Sequence, residues 1–236
     1  MKAVVLAAGI GTRLKPLTND IPKVMVEVNG KPILQRVLEQ LKWAGIEETI
    51  LVVCYKREKI EHYFGNEFQG MKLKYAAQEK PNAGTADAMY RAKPYIRDRF
   101  LAAYADNLWE RSIFKRLKEL KSANAIVATP VQDVEKYGIL KVEGNKILDW
   151  VEKPKKEEAP SNLANAGLYL FSPKIFDCIE KISPSPRGEL ELTDAVRLHL
   201  KEESYEFVPY EGTWIDIGNF ELLEKANKLL KEKGDI

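Results

Sequence analysis

Near the start of the chain, Leu6-Ala7-Ala8-Gly9-Ile10-Gly11-Thr12-Arg13-Leu14 is followed by Pro16-Leu17-Thr18 and then Pro22-Lys23. These residue types suit the capture of a polyanion. Gly9 and Gly11 let the main chain approach a ligand closely and turn its N–H groups toward negative charge. Thr12 adds a hydroxyl donor, and Arg13 and Lys23 put fixed positive charge on the same phosphates. No Gly-Lys-Ser/Thr follows at the spacing of a Walker A loop. The third glycine and the downstream acid of a dinucleotide fingerprint are missing as well.

Two carboxylates complete a phosphate chemistry. Asp106 follows the apolar run Phe100–Tyr104, which places it at the carboxyl end of a buried strand, where open α/β sheets hold ligands. A hard oxygen ligand there suits Mg²⁺ bridging phosphate oxygens. Asp216, in Trp214-Ile215-Asp216-Ile217-Gly218, sits in an apolar strand where an unpaired charge would be costly. Gln78 opens Gln78-Glu79-Lys80-Pro81-Asn82-Ala83-Gly84-Thr85-Ala86. Its amide offers a donor and an acceptor side by side, which can pair with the edge of a pyrimidine, and Gly84-Thr85 lets a base lie close to the main chain. His62, His199, Cys54 and Cys178 fall in none of these groups, and the two cysteines have no metal-ligand spacing and read as reduced, mostly buried thiols.

The elements that must position these groups follow from periodicity. Residues 3–8 form a continuous apolar run, a strand buried on both faces of a parallel sheet. Pro32 opens and Gly45 closes a helix with apolar residues at 33, 34, 37, 38 and 41. Strands at 49–53, 73–76, 100–104 and 125–129 alternate with helices at 57–64, 85–92 and 112–121, the pattern of a doubly wound, Rossmann-like, mostly parallel mixed sheet with helices on both faces. After Pro130 a hairpin is expected, 137–142 and 146–151 around Gly144-Asn145, then a charged loop at 153–161. A strand at 168–171, helices at 173–181 and 192–201, and short strands at 207–210 and 213–217 come next. Asn219 caps a last helix striped by Leu222, Leu223, Ala226, Leu229 and Leu230.

With 236 residues, an apolar share of 45% and a charged share of 31%, the chain has room for one sizeable globular domain. Its 37 basic and 35 acidic side chains leave a net charge of +2, which gives no argument for a nucleic-acid or membrane partner. The apolar run at the start is interrupted at once by Gly9–Arg13, and no run reaches the length of a membrane span, so a cytoplasmic protein is expected.

The glycine loop with its Arg13 and Pro22-Lys23 resembles the signature of the sugar-1-phosphate nucleotidyltransferase family, most nearly its glucose-1-phosphate thymidylyl- and uridylyltransferase branch. The resemblance extends over essentially the whole chain, including Gln78-x-x-Pro81-x-x-Gly84-Thr85, Glu152-Lys153-Pro154, Asn165-Ala166-Gly167, Arg187-Gly188-Glu189-x-Glu191-x-Thr193-Asp194 and Trp214-x-Asp216. It implies a single nucleotidyltransferase domain, with residues 1–130 binding nucleotide and residues 131–236 binding sugar phosphate. The nucleotide-binding set implied is Leu6, Ala8, Gly9, Gly11, Thr12, Arg13, Gln78, Pro81, Gly84 and Thr85. Arg13 and Lys23 would stabilise the transition state, and Asp106 and Asp216 would hold Mg²⁺. On the sugar side, Gly138 would offer an amide, Glu152 a carboxylate for hydroxyl protons and Lys153 an ammonium for the phosphate, with Asn165 and Gly167 beside them.

The reaction implied joins a nucleoside triphosphate, dTTP or UTP, to a hexose 1-phosphate, with glucose 1-phosphate first, and releases pyrophosphate. Its nucleophile is already an anion, so no general base is needed. Other readings share parts of this pattern: a mannose-1-phosphate guanylyltransferase, a cytidylyltransferase for a small phosphate, or a non-catalytic subunit that senses nucleotide sugars. Intact Arg13, Lys23, Asp106 and Asp216 argue against the last, and the sugar-side segments argue against the second. The family usually has Gly before the first aspartate; Ala105 here adds a methyl group expected to tighten the space near ribose or metal. A homo-oligomer is compatible with the sequence. Because such enzymes often continue into a left-handed β-helix, both a complete short enzyme and the catalytic domain of a longer one fit.

Overall fold

A computed structural model describes residues 1–234. The chain runs β1 (Lys2–Ala7), β2 (Glu27–Val28), β3 (Lys31–Pro32), α1 (Ile33–Trp43), β4 (Glu48–Val53), α2 (Arg57–Phe64), β5 (Glu67–Phe68), β6 (Met71–Ala77), α3 (Thr85–Tyr90) and β7 (Phe100–Tyr104). It continues through β8 (Asn107–Trp109), α4 (Ser112–Glu119), β9 (Ala125–Pro130), β10 (Gly138–Glu143), β11 (Lys146–Glu152), β12 (Leu163–Phe171), α5 (Ile175–Ile179), α6 (Leu192–His199), β13 (Glu206–Pro209), β14 (Trp214–Asp216) and α7 (Phe220–Lys233).

Ten of these strands make one mixed sheet in the order β10-β11-β13-β9-β12-β7-β1-β4-β6-β5. Its first half is parallel: β1 pairs β4 and β7, and β4 pairs β6. Of these, β1, β4 and β7 carry continuous apolar runs, as burial under helices on both faces requires, whereas β6 alternates apolar residues with the exposed Lys72 and Lys74. The second half is largely antiparallel, because β12 inserts between β7 and β9 and runs against both. Alternation along β1 assigns the two faces. Ala3, Val5 and Ala7 pack under α1, α2 and α4, whereas Val4 packs under α3, α5 and α6. Helix α1 ends as its glycine predicts: Gly45 is left-handed at φ 74°, and the Ile46 N–H closes back on the Leu41 carbonyl at 3.0 Å.

A third apolar cluster lies outside the sheet. Leu14, Val26, Val28, Ile33, Leu108, Ile215 and Ile217 meet Leu223, Ala226 and Leu230 of α7. Asn219 starts that helix by accepting the Leu222 N–H at 2.9 Å. Four short strands were not foreseen. β2, β3 and β5 have two residues each, too few to carry a periodic signal, and β8 follows Asp106 directly, so its three residues read as part of a turn. Among the described residues no helix is long and apolar enough to cross a membrane. Cys54 is half-buried and Cys178 buried, and both are free.

Candidate functional site

The carboxyl ends of β1 and β7 open into a cleft of about 400 Å³ bounded on its far side by β10, β11 and β12. The loop after β1 forms one wall. Gly11 is left-handed at φ 74°, and a Cβ there would stand 2.7 Å from the Lys23 Cβ. The glycine is therefore required for the loop to fold over the Lys23 stem. Thr18 donates its hydroxyl to the Gly11 carbonyl at 2.7 Å and fixes that turn. Leu6, Ala8, Gly9 and Arg13 line the cleft, whereas Gly11, Thr12 and the exposed Pro81 lie outside its lining. The exposed Arg13 reaches toward Gly218 just past β14.

Lys23 is buried, and its ammonium lies 2.5 Å from Asp106 Oδ2. Burial pushes the Asp106 carboxyl up, but the Lys23 charge and the hydrogen bonds from Lys23 and Asn107 outweigh it and hold the group below its usual range. Asn107 is itself buried; its Nδ2 donates to Asp106 Oδ1 at 2.9 Å, and its Oδ1 accepts from Trp214 Nε1 at 2.7 Å. The small sheet of β8 and β14 then brings the two aspartates together. Asp216 lies opposite Asn107, and the Ile217 N–H donates to the Asp106 carbonyl at 2.9 Å. Burial and the neighbouring Asp106 charge push the Asp216 carboxyl up to about 6, against the pull of Lys23, Arg13 and Lys153.

Two crowded carboxylates, one of them unstable as an anion, form a hard oxygen pair that suits a divalent cation shared with phosphate oxygens. Among the described residues no cluster of three or more potential ligands occurs, so such an ion would need oxygens from a substrate to fill its shell. The Ala105 methyl does not narrow this site. Ala105 is fully buried in the core that includes Ala103 and Trp109, so the expected tightening is corrected.

The second wall joins α3 to the segment before α6. Gly84 has φ 102°, and a Cβ there would stand 2.2 Å from the Leu190 carbonyl oxygen. That contact exists because the two backbones are hydrogen-bonded: Leu190 N–H to the Ala83 carbonyl and Ala86 N–H to the Leu190 carbonyl, both at 2.9 Å. Thr85 Oγ1 accepts the Leu192 N–H at 3.1 Å, so its hydroxyl helps start α6 as well as lining the cleft. Gln78 Nε2 donates to the Gly84 carbonyl at 3.1 Å and to Asp87 Oδ2 at 2.9 Å. Its donor side is thus committed inside the protein, and the amide oxygen is the side left for a ligand. Arg187, foreseen only as part of a sequence pattern, pairs with Glu191 at 2.8 Å.

Gly138, Glu152, Lys153, Asn165 and Gly167 all line the far end. Thr193 donates to Glu152 Oε2 at 3.0 Å, and the Lys153 ammonium lies 3.6 Å from Oε1. Lys153 holds φ 44°, unusual for a residue with a side chain, and its N–H donates to the Tyr137 carbonyl at 3.0 Å. In β12 the register shifts between Asn165 and Tyr169. Within that bulge the Asn165 side chain accepts the Gly167 N–H at 2.9 Å and donates to the Tyr169 hydroxyl at 2.7 Å. A Cβ at Gly167 would stand 2.8 Å from the Tyr104 ring. Tyr104, Asn107, Lys136 and Trp150 also line the cleft and were not singled out from the sequence. Tyr104 and Trp150 sit in apolar strand patterns that read as core.

Comparison with known proteins agrees with this architecture. The chain is 39% identical over 98% of its length to the bifunctional protein GlmU of Methanococcus maripaludis, of which it covers 55%. It thus spans about half the length of that relative. It is 37% identical to the UTP–glucose-1-phosphate uridylyltransferase AglF of Haloferax volcanii, covering 99% of this chain and 98% of that one. A crystal structure of UDP-glucose pyrophosphorylase complexed with UDP-glucose superposes with a TM-score of 0.90 at 28% identity, covering 98% of each chain. A putative glucose-1-phosphate thymidylyltransferase from Bacillus anthracis gives 0.87 at 28% identity, over 98% of this chain and 96% of its own. The glycine loop at one end of the sheet and the paired aspartates below it lie within residues 2–233, which match the model of the nucleotidyl transferase family, and the chain belongs to that family.

Proposed function

We propose that the chain transfers a nucleotidyl group from dTTP or UTP to a hexose 1-phosphate, glucose 1-phosphate first, giving a nucleotide sugar and pyrophosphate. The observation that carries this reading is one cleft whose lining brings the cationic Arg13 and Lys153 together with the Asp106–Asp216 pair. The uridylyltransferase relative and the UDP-glucose pyrophosphorylase neighbour support the choice of nucleotide and sugar.

In the reaction a sugar-phosphate oxygen attacks the α-phosphorus in line; the new O–P bond forms as the bond to the β-phosphate oxygen breaks, and pyrophosphate departs. The attacking group is an anion, so no side chain has to remove a proton. The protein must instead bring two anions together and meet the charge that builds on the leaving group. Main-chain N–H groups of the loop at Gly9 and the Arg13 guanidinium serve the triphosphate, with Lys23 held ready behind Asp106. Lys153 and the Glu152 carboxylate serve the sugar phosphate and its hydroxyls. Mg²⁺ held by Asp106 and Asp216 would screen the phosphate oxygens and polarise the α-phosphorus.

A matrix assay for pyrophosphate release tests this. Each nucleoside triphosphate is crossed with the 1-phosphates of glucose, mannose, galactose and N-acetylglucosamine. Preference for dTTP or UTP with glucose 1-phosphate is expected; preference for GTP with mannose 1-phosphate would refute it. Omitting divalent metal is expected to abolish turnover, and full activity in chelator would refute the cation assignment.

A further inference from the structure

Trp150 is the one aromatic side chain of the cleft lining whose polar atom is buried and has no hydrogen-bond partner among the described residues. The side chain is 1% exposed, stacked near Tyr169 with ring centroids 6.0 Å apart. An indole N–H can only donate, and leaving it unpaired in the interior is costly unless something completes it. Gly138 packs directly against it. A Cβ on Gly138 would stand 2.1 Å from Trp150 Nε1 and 3.0 Å from Glu152 Oε2, so the indole donor and the carboxylate acceptor lie close together beside this glycine. Gly138 has no positive φ, so its lack of a side chain serves this close approach rather than a backbone turn. Thr193 holds the same Glu152 oxygen from the other side at 3.0 Å.

We propose that Trp150 is a specificity-determining residue that donates its indole N–H to one ring hydroxyl of the sugar, whose own proton goes to Glu152. This rests on the cleft binding a sugar 1-phosphate. A hydroxyl is the group that fits, since it accepts from the indole and donates to the carboxylate at once. A substituent that only accepts satisfies Trp150 and leaves Glu152 unpaired; one that does neither leaves both unpaired.

The test compares wild type and Trp150→Phe on glucose 1-phosphate and on its mono-deoxy and mono-deoxyfluoro analogues, taken at each ring carbon in turn. Phenylalanine keeps an aromatic ring and removes the donor. Loss of one hydrogen bond to a buried group is expected to raise KM for glucose 1-phosphate about tenfold and leave KM for the triphosphate unchanged. At one ring position the deoxy analogue should erase that penalty while its deoxyfluoro partner, which still accepts, retains part of it. A penalty equal across all analogues overturns the proposal. So does one erased by the deoxy and deoxyfluoro analogues alike, because the indole then acts on Glu152 and not on the sugar.

Heteronuclear NMR of the wild-type chain gives a reading independent of the variant's folding. The indole N–H signal of Trp150, sorted from Trp43, Trp109 and Trp214 by their single replacements, is expected to shift when sugar 1-phosphate binds. An unmoved signal at saturation overturns the proposal. Failure of the wild type to turn over any sugar 1-phosphate would instead defeat the functional reading beneath it.

Discussion

Asp216 is a cleft carboxyl pushed toward its protonated form. Burial first, and the Asp106 charge second, raise its pKa to about 6. Without metal, the folded chain therefore holds this proton more tightly than the unfolded chain does. The stability from that proton is complete below the ordinary aspartate range and is lost as pH rises through about 6. A divalent cation competes for the same oxygens, so its affinity should weaken as pH falls below about 6. Calorimetric Mg²⁺ titration at stepped pH, with triphosphate present, checks this, and Asp216→Asn should remove the step; an affinity flat across that range would contradict the assignment. The two cations divide differently. Arg13→Ala should fall mainly on kcat, because the guanidinium fork matters most as charge builds on pyrophosphate, with a loss of about 100- to 1000-fold. Lys153→Ala should raise KM for the sugar 1-phosphate far more than for the triphosphate. Steady-state kinetics with each substrate varied in turn separate them, and a rise in the triphosphate KM alone after Lys153→Ala would place the sugar end wrongly.

At the scale of elements, glycines with similar roles on paper should behave oppositely. Gly84→Ala forces a Cβ into the Leu190 backbone at φ 102°, where neither chain can yield without breaking the hydrogen bonds between them. A loss of about 2–3 kcal/mol is expected by urea unfolding. Gly9→Ala meets nothing within 4 Å, so stability should stay within about 0.5 kcal/mol while KM for the triphosphate rises. Equal stability losses at both would contradict this account. The same contrast shows what the sequence could convey. The strand, loop and helix around residues 2–45 were legible because continuous apolar runs and glycine punctuation are local signals. The joining of Asp106 to Asp216 was not, since it depends on β8, only three residues long, pairing with β14 more than a hundred positions away. Residue pattern alone named the two carboxylates singly; only the family resemblance put them on one ion. Trp150 was hidden for a related reason: its strand pattern marks a core residue, and only the pairing of β10 with β11 sets its indole nitrogen beside Gly138 and Glu152 in the cleft lining.

The two halves to which the family resemblance assigns nucleotide and sugar phosphate, residues 1–130 and 131–236, are not two structural units. Strand β12, from the second, fills the sheet between β7 and β9 of the first. It pairs with β7 from Leu168 to Phe171 and with β9 on its other edge. Strand β13 then covers the outer edge of β9. Helix α7 returns to seal the cluster containing Leu14 and Val26, which supports the loop after β1 from below. A fragment of residues 1–130 would therefore expose both edges of β9, one edge of β7 and the apolar faces that α5, α6 and α7 cover. Unpaired strand edges beside uncovered apolar surface favour aggregation over folding. We expect the whole chain to unfold in one cooperative transition, with circular dichroism and tryptophan fluorescence coinciding. The fragment should show no cooperative transition at all. An independently folded 1–130 fragment that bound triphosphate would mean that the nucleotide half is a domain in its own right, with the sugar half added to a sheet already complete.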